Sequence, residues 1–193
     1  MAQLDVPFSR IQETLKRVVS ALDEADVPFV IGGSLASWAR GGPDTTHDLD
    51  VMVRPEDVRR AQQALVRAGM RAEDPPETWL LKAWDGDVLV DLIHHPSGLV
   101  VDDDLLARAE CVTAAAMDFK AMAIEDVLFT KLSSLNEHYL DFSSLLQIAR
   151  ALREQVDWRQ LRERTAASPY AAAYFCLLDE LGVLGDDTAT AAA

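Results

Sequence analysis

The chain has 193 residues, a size that one domain accommodates, and its 18 basic against 32 acidic residues leave a net charge of −14. That charge opposes non-specific attraction to a polyanion, so a nucleic-acid partner would need a localised basic patch. Hydrophobic residues make up 49% of the chain, yet no apolar run approaches the roughly 20 residues that span a bilayer.

The N-terminus mixes Asp5, Arg10 and Glu13 into short apolar stretches and does not read as a secretory signal, which predicts a cytoplasmic protein. Cys111 and Cys176 stand far apart among small or apolar neighbours. They are expected to be buried reduced thiols, not a disulfide or a zinc site.

Residues 8–26 carry Phe8, Ile11, Leu15, Val18, Val19 and Leu22 at helical spacing, with Ser9 and Gln12 in the pattern of a capping box. Pro28 closes this helix. Phe29-Val30-Ile31 is a short β-prone run that stops at Gly32-Gly33, after which residues 34–40 form a helix. Gly41-Gly42-Pro43 breaks that helix, and Asp48-Leu-Asp-Val-Met-Val alternates as a strand does. A crossover helix over 55–69 opens near Pro55 and ends at Gly69. Residues 78–83 and 87–93 read as two strands with Asp85-Gly86 at a hairpin turn, and 117–124 holds one more short strand. Three helical patterns follow, over 125–136, 139–153 and 157–183, the last broken near Pro169. The fold class is therefore α/β, with a mixed sheet flanked by helices and a helical C-terminal region. Residues 1–123 are expected to form the catalytic core, 124–184 to pack on it, and 185–193 to fray.

Asp48 and Asp50, two apart on a strand, project from one face, where two like charges are unfavourable unless a cation joins them. An all-oxygen set of this kind suits Mg²⁺ or Mn²⁺. Asp91 interrupts the apolar run Val88–Ile93, and a lone carboxylate there is costly to bury without a cation or donor. Gly32 and Gly33, between a strand and a helix, allow a tight turn close to a triphosphate, and Ser34 adds a hydroxyl. Each signal is weak alone; their order along the chain carries the reading.

This ordered set, Ile31-Gly32-Gly33-Ser34, Thr46-His47-Asp48-Leu49-Asp50 and Val90-Asp91-Leu92, resembles the nucleotidyltransferase superfamily of the DNA polymerase β type. The Gly-Gly turn and the segment Glu125–Leu132 followed by Asp141 look like the AbiEii/MenT group of toxin nucleotidyltransferases of toxin–antitoxin systems. The resemblance covers roughly residues 27–150. It implies a polymerase-β-like core with NTP and Mg²⁺ or Mn²⁺ as cosubstrate and cofactor. The reaction it implies is nucleotidyl transfer to the 3′ end of tRNA, which would arrest growth.

Residue by residue, the resemblance implies that Gly32, Gly33 and Ser34 hold the triphosphate, that Asp48 and Asp50 bind metal, and that Lys131 contacts phosphate. Asp91 binds metal or activates the acceptor. Asp141 matches an acidic catalytic position, or orients Lys131 or Arg150 through an ion pair. Lys131 reads equally as a solvated helix lysine. Thr46, or neighbouring Thr45, matches a site that a kinase antitoxin phosphorylates; both also suit plain loop support. His47 neighbours the metal pair, and His94 and His95 stay unassigned.

Two other acceptors fit the residues. The acidic balance favours a cationic small molecule of the aminoglycoside type, and an antitoxin-like enzyme would modify a partner protein. A tRNA acceptor would depend on Arg54, Arg59, Arg60, Arg67 and Arg71, and on Arg150, Arg153, Arg159, Arg162 and Arg164, unless these alternate with acids on solvated faces. Neither DNA nor a membrane is expected as a partner.

Overall fold

The computed structural model describes residues 6–44 and 48–184. Thr45, Thr46 and His47 and the tail expected over 185–193 lie outside the described residues, so the phosphosite reading of Thr46 gains no structural account. Helix α1 (Phe8–Glu24) leads to β1 (Phe29–Ile31), α2 (Gly33–Trp38), β2 (Asp48–Val53) and α3 (Val58–Arg67). Then come β3 (Arg71–Glu73), β4 (Leu80–Asp85), β5 (Val88–Ile93), α4 (Asp103–Ala107), β6 (Glu110–Ala114) and β7 (Met117–Ala121). Helices α5 (Ile124–Ser133), α6 (Phe142–Leu152), α7 (Trp158–Arg164) and α8 (Pro169–Glu180) complete the order, with a 3₁₀ turn at Arg153–Gln155. Among the described residues no helix is long and apolar enough to cross a membrane.

Seven strands form one mixed sheet in the order β3-β4-β5-β2-β1-β7-β6. The central neighbours β2 and β5 run parallel, while β1 and β4 flank them in antiparallel sense. Helices α1 and α3 cover one face, because Ile11, Leu15, Val18 and Leu22 form the apolar stripe of α1 and are fully buried. Asp85 points into that side, where Thr14 Oγ1 donates to it at 2.8 Å and Arg17 pairs with it, so this buried carboxylate is satisfied. The opposite face carries Asp48, Asp50 and Asp91.

The C-terminal helices are tied in by buried polar contacts. Asp126 of α5, with its side chain 2% exposed, pairs with Arg108 at 2.9 Å and with Arg164 of α7 at 2.7 Å. The Tyr174 hydroxyl of α8 donates to the Leu145 carbonyl of α6 at 2.9 Å inside the core.

Several expectations shift. Ser9 lies inside α1; Pro7 occupies the N-cap with no side-chain hydrogen bond, so there is no capping box. Pro55 sits in the turn ahead of α3. The break at Pro169 has a clear cause, since Ser168 caps α8 by accepting from the Ala171 N–H at 3.2 Å and Pro169 fills the first turn. Both cysteines are exposed free thiols, not buried ones. Strands β3 and β6 and helix α4 carry too little periodicity to be seen in sequence. The β6–β7 hairpin turns on Ala115 and Ala116 at φ 52° and 59°, a left-handed pair normally signalled by Asn or Gly.

Candidate active site

The parallel register of β2 against β5 sets Asp50 opposite Asp91, with Asp48 one pleat away on the same face. Carboxylate oxygens of all three lie within 4.8 Å of one another. Asp91 is 8% exposed and its Oδ1 has no hydrogen-bond partner. A buried carboxylate oxygen left bare beside two more carboxylates suits a hard cation, since the nearby lysine charges offset the desolvation and repulsion only in part. The three aspartates thus fit a divalent metal.

The same crowding governs protonation. Burial, reinforced by Asp48 and Asp91, pushes Asp50 well above the usual carboxylate range, with the Lys131 ammonium opposing the rise. Burial and then Asp48 push Asp91 up to about 6, opposed by Lys82 and reinforced by Glu77 and Glu73. Lys131, whose charge opposes that rise, stands in the last turn of α5.

Gly33 opens α2 at φ +53°, and a Cβ built there would stand 1.7 Å from Asp50 Oδ2. The glycine turn and the carboxylate occupy adjoining space, which only a residue without a side chain allows. Gly32 donates its N–H to the Asp50 carbonyl at 2.9 Å, extending the β1–β2 ladder by one residue. Ser34 follows, half-buried in the first turn of α2.

Asp141 is placed differently. It caps α6, its carboxylate accepting from the Ser143 N–H at 2.9 Å, and it is not among the carboxylates that converge. Among the described residues it forms no ion pair with Lys131 or Arg150. His94 and His95 sit with their Nδ1 atoms 2.5 Å apart at the end of β5.

Lys82 carries no local signal in the sequence. It stands directly opposite Asp91 across the β4–β5 hairpin. The turn near Asp85-Gly86 already implied that register: pairing Asp85 with Val88 sets Lys82 against Asp91 by counting back three and forward three.

A family described as "Uncharacterised nucleotidyltransferase" matches residues 9–179, nearly the whole described chain. The chain belongs to this family. It is a nucleotidyltransferase, and its fold agrees with that of solved enzymes of the class. ANT(2″)-Ia, seen in complex with adenylyl-2″-tobramycin, is 18% identical with a TM-score of 0.63, over 86% of this chain and 99% of that one. The lincosamide antibiotic adenylyltransferase LnuA, lincomycin-bound, is 12% identical with a TM-score of 0.56, over 79% and 99%. The Thermotoga maritima protein TM1012 is 14% identical with a TM-score of 0.50, over 87% and 100%. No curated protein sequence matches. The mixed α/β architecture of this nucleotidyltransferase, with helices flanking the sheet, is thus that of the class.

Proposed function

We propose that this nucleotidyltransferase transfers a nucleoside monophosphate from an NTP to a hydroxyl of a small cationic molecule of the aminoglycoside type. Asp48, Asp50 and Asp91 would hold Mg²⁺ or Mn²⁺, with Gly32, Gly33, Ser34 and Lys131 around the triphosphate. The metal, when bound, supplies charge neutralisation for the phosphates and for the oxygens that attack and leave. The residues themselves fix the geometry: Gly33 lets the backbone approach Asp50, and Lys131 sets a positive charge on the phosphate side. We take residues 1–123 as the catalytic core, with the 124–184 helices packed on it, working in the cytoplasm. Asp141 acts here through its cap on α6.

The observation that carries the choice of acceptor is the fate of the arginines. Arg54 and Arg60 pair with Asp57, Arg59 with Asp74, Arg71 with Glu73. Arg153, Arg162 and Arg164 pair with Glu154, Asp179 and Asp126. The basic patch that a tRNA acceptor needs is thereby largely neutralised, and a net charge of −14 remains to draw in a cation. The antibiotic adenylyltransferases of the same fold support this reading.

A second reading is transfer to the 3′ end of tRNA by a toxin paired with a cognate antitoxin, a kinase acting on Thr46 in the sense the resemblance implies. It is supported by the likeness of the Glu125–Leu132 segment, followed by Asp141, to the toxin group. The two readings separate in one experiment: the protein, Mg²⁺ and each α-labelled NTP in turn, mixed with tobramycin, lincomycin or total tRNA. Nucleotidylated tobramycin or lincomycin by mass supports the first reading; label only in tRNA overturns it in favour of the second.

A further inference from the structure

One line of side chains crosses four strands on the face of the sheet that carries the aspartates. Glu73 of β3 faces Lys82 of β4, Lys82 faces Asp91 of β5, and Asp91 faces Asp50 of β2. Directly opposed residues on neighbouring strands project to the same side, so these four charges form a row. Its order is carboxylate, ammonium, carboxylate, carboxylate.

Glu73 is engaged away from the cluster. It accepts the Trp84 indole N–H at 2.8 Å and lies 3.6 Å from Arg71, whose guanidinium stacks over the Trp84 ring. Lys82 is half-buried and, among the described residues, has no carboxylate within ion-pair distance. Its charge nonetheless reaches Asp91. A half-buried ammonium with no ion-pair partner keeps its donors available for an anion brought into the site. The three aspartates are themselves committed to a cation, which leaves an anion brought by the substrate.

The cluster also has two distinguishable sides. Gly33 and Lys131 act on Asp50, so the turn and one lysine mark the side where the long polyphosphate lies. Lys82 flanks Asp91 from the other side, a single strand spacing away. We propose that Lys82 is the residue that binds the α-phosphoryl group of the NTP, on the side from which the acceptor attacks. The proposal rests on the nucleotidyl-transfer reading above. In the step concerned, the acceptor oxygen forms a bond to the α-phosphorus while the bond from that phosphorus to the β-bridging oxygen breaks. Pyrophosphate leaves with the bonding pair, and the acceptor proton passes to a carboxylate of the cluster and on to solvent. Negative charge spreads over the α-phosphoryl oxygens during this exchange, and an ammonium carried on the strand beside Asp91 is placed to meet it.

The test compares two ligands in the presence of Mg²⁺: α,β-methylene-ATP, which carries an α-phosphoryl group, and inorganic pyrophosphate, which carries none. Lys82→Met should weaken α,β-methylene-ATP binding by about 10-fold or more, the loss of one charged contact. Pyrophosphate should bind as to wild type, Lys82→Arg should recover most of the loss, and Lys131→Met should weaken both ligands. Circular dichroism checks each variant, and Lys82→Gln replaces Lys82→Met if the latter does not fold. A Lys82 variant that binds both ligands like wild type, or loses both to the same degree, overturns the proposal. Wild-type protein that binds neither ligand overturns the nucleotidyl-transfer reading itself, and the two failures differ in whether wild type or only the variant is affected.

Discussion

Asp50 Oδ2 lies 1.7 Å from the place where a side chain on Gly33 would begin, and Gly33 holds a φ of +53°. The turn after β1 and the carboxylate on β2 are therefore one device, each positioned by the other. Gly33→Ala must push Asp50 out of the cluster as well as strain the backbone. Nucleotidyl transfer should fall at least about 100-fold, since misplacing a reacting group by an ångström has that effect. Stability should drop by roughly 1–2 kcal/mol in urea unfolding. Gly41→Ala is the control: its φ is +95° but nothing lies within 4 Å of its Cβ. It should show the backbone cost and leave turnover unchanged.

Replacing Asp48 or Asp50 by Asn should abolish transfer while the fold persists, because these charges repel one another and no core contact depends on them. Without metal the variants should melt no lower than wild type, and relief of repulsion should raise Tm by about 2–4 °C for each kcal/mol gained. Added Mg²⁺ should raise the melting temperature of wild type and leave the variants unmoved. A variant with wild-type turnover would remove the residue from the site.

Protonation gives a test with a defined direction. Asp91 is pushed up to about 6 in the folded protein, from an ordinary value of 3.8. A carboxyl with a raised folded pKa binds its proton more tightly when folded. Its contribution is therefore fully present below about pH 4 and is lost as pH rises through about 6. For Asp91 this amounts to roughly 2–3 kcal/mol. Asp50, raised for the same reasons, extends the decline to higher pH. The difference in unfolding free energy between wild type and Asp91→Asn, measured without metal from pH 4 to 8, should show wild type losing ground across this window. Metal binding runs the other way, tightening as the carboxylates ionise.

The chemistry of the site was legible in sequence because it depends on strand alternation and on glycine. Asp48 and Asp50 had to share a face, and Asp91 in an apolar run had to have a partner. What the chain could not reveal was which strands would neighbour each other. The parallel pairing of β2 with β5 is a long-range choice, and the row from Glu73 to Asp50 exists only once it is made. Lys82 was within reach through the hairpin count but carries no local signal. Asp141 shows the converse: an acid at the right distance along the chain also caps a helix in space, a contact that the spacing alone does not announce. The β6–β7 hairpin stayed invisible because two alanines occupy its left-handed positions.

Asp126 supplies the last prediction, and it separates structure from chemistry inside the segment Glu125–Leu132. Its carboxylate is 2% exposed and held by Arg108 at 2.9 Å and Arg164 at 2.7 Å, with Arg164 also stacked over Phe129. One acid thus joins α5 to α7 and to the chain just after α4. Removing it leaves two guanidinium groups that are 48% and 28% exposed and can turn to water, so the cost is that of the lost charged hydrogen bonds, about 1.5–3 kcal/mol. Asp126→Ala should therefore lower Tm by roughly 5 °C, given about 2–4 °C per kcal/mol at this chain length. Mg²⁺ should still raise the melting temperature by the wild-type amount, because Asp126 is not part of the cluster that Asp48, Asp50 and Asp91 form. Turnover per folded molecule, measured well below the new Tm, should also be retained. Loss of the Mg²⁺ response in a protein that is still folded would mean that the position of α5, and with it Lys131, is set by this ion pair.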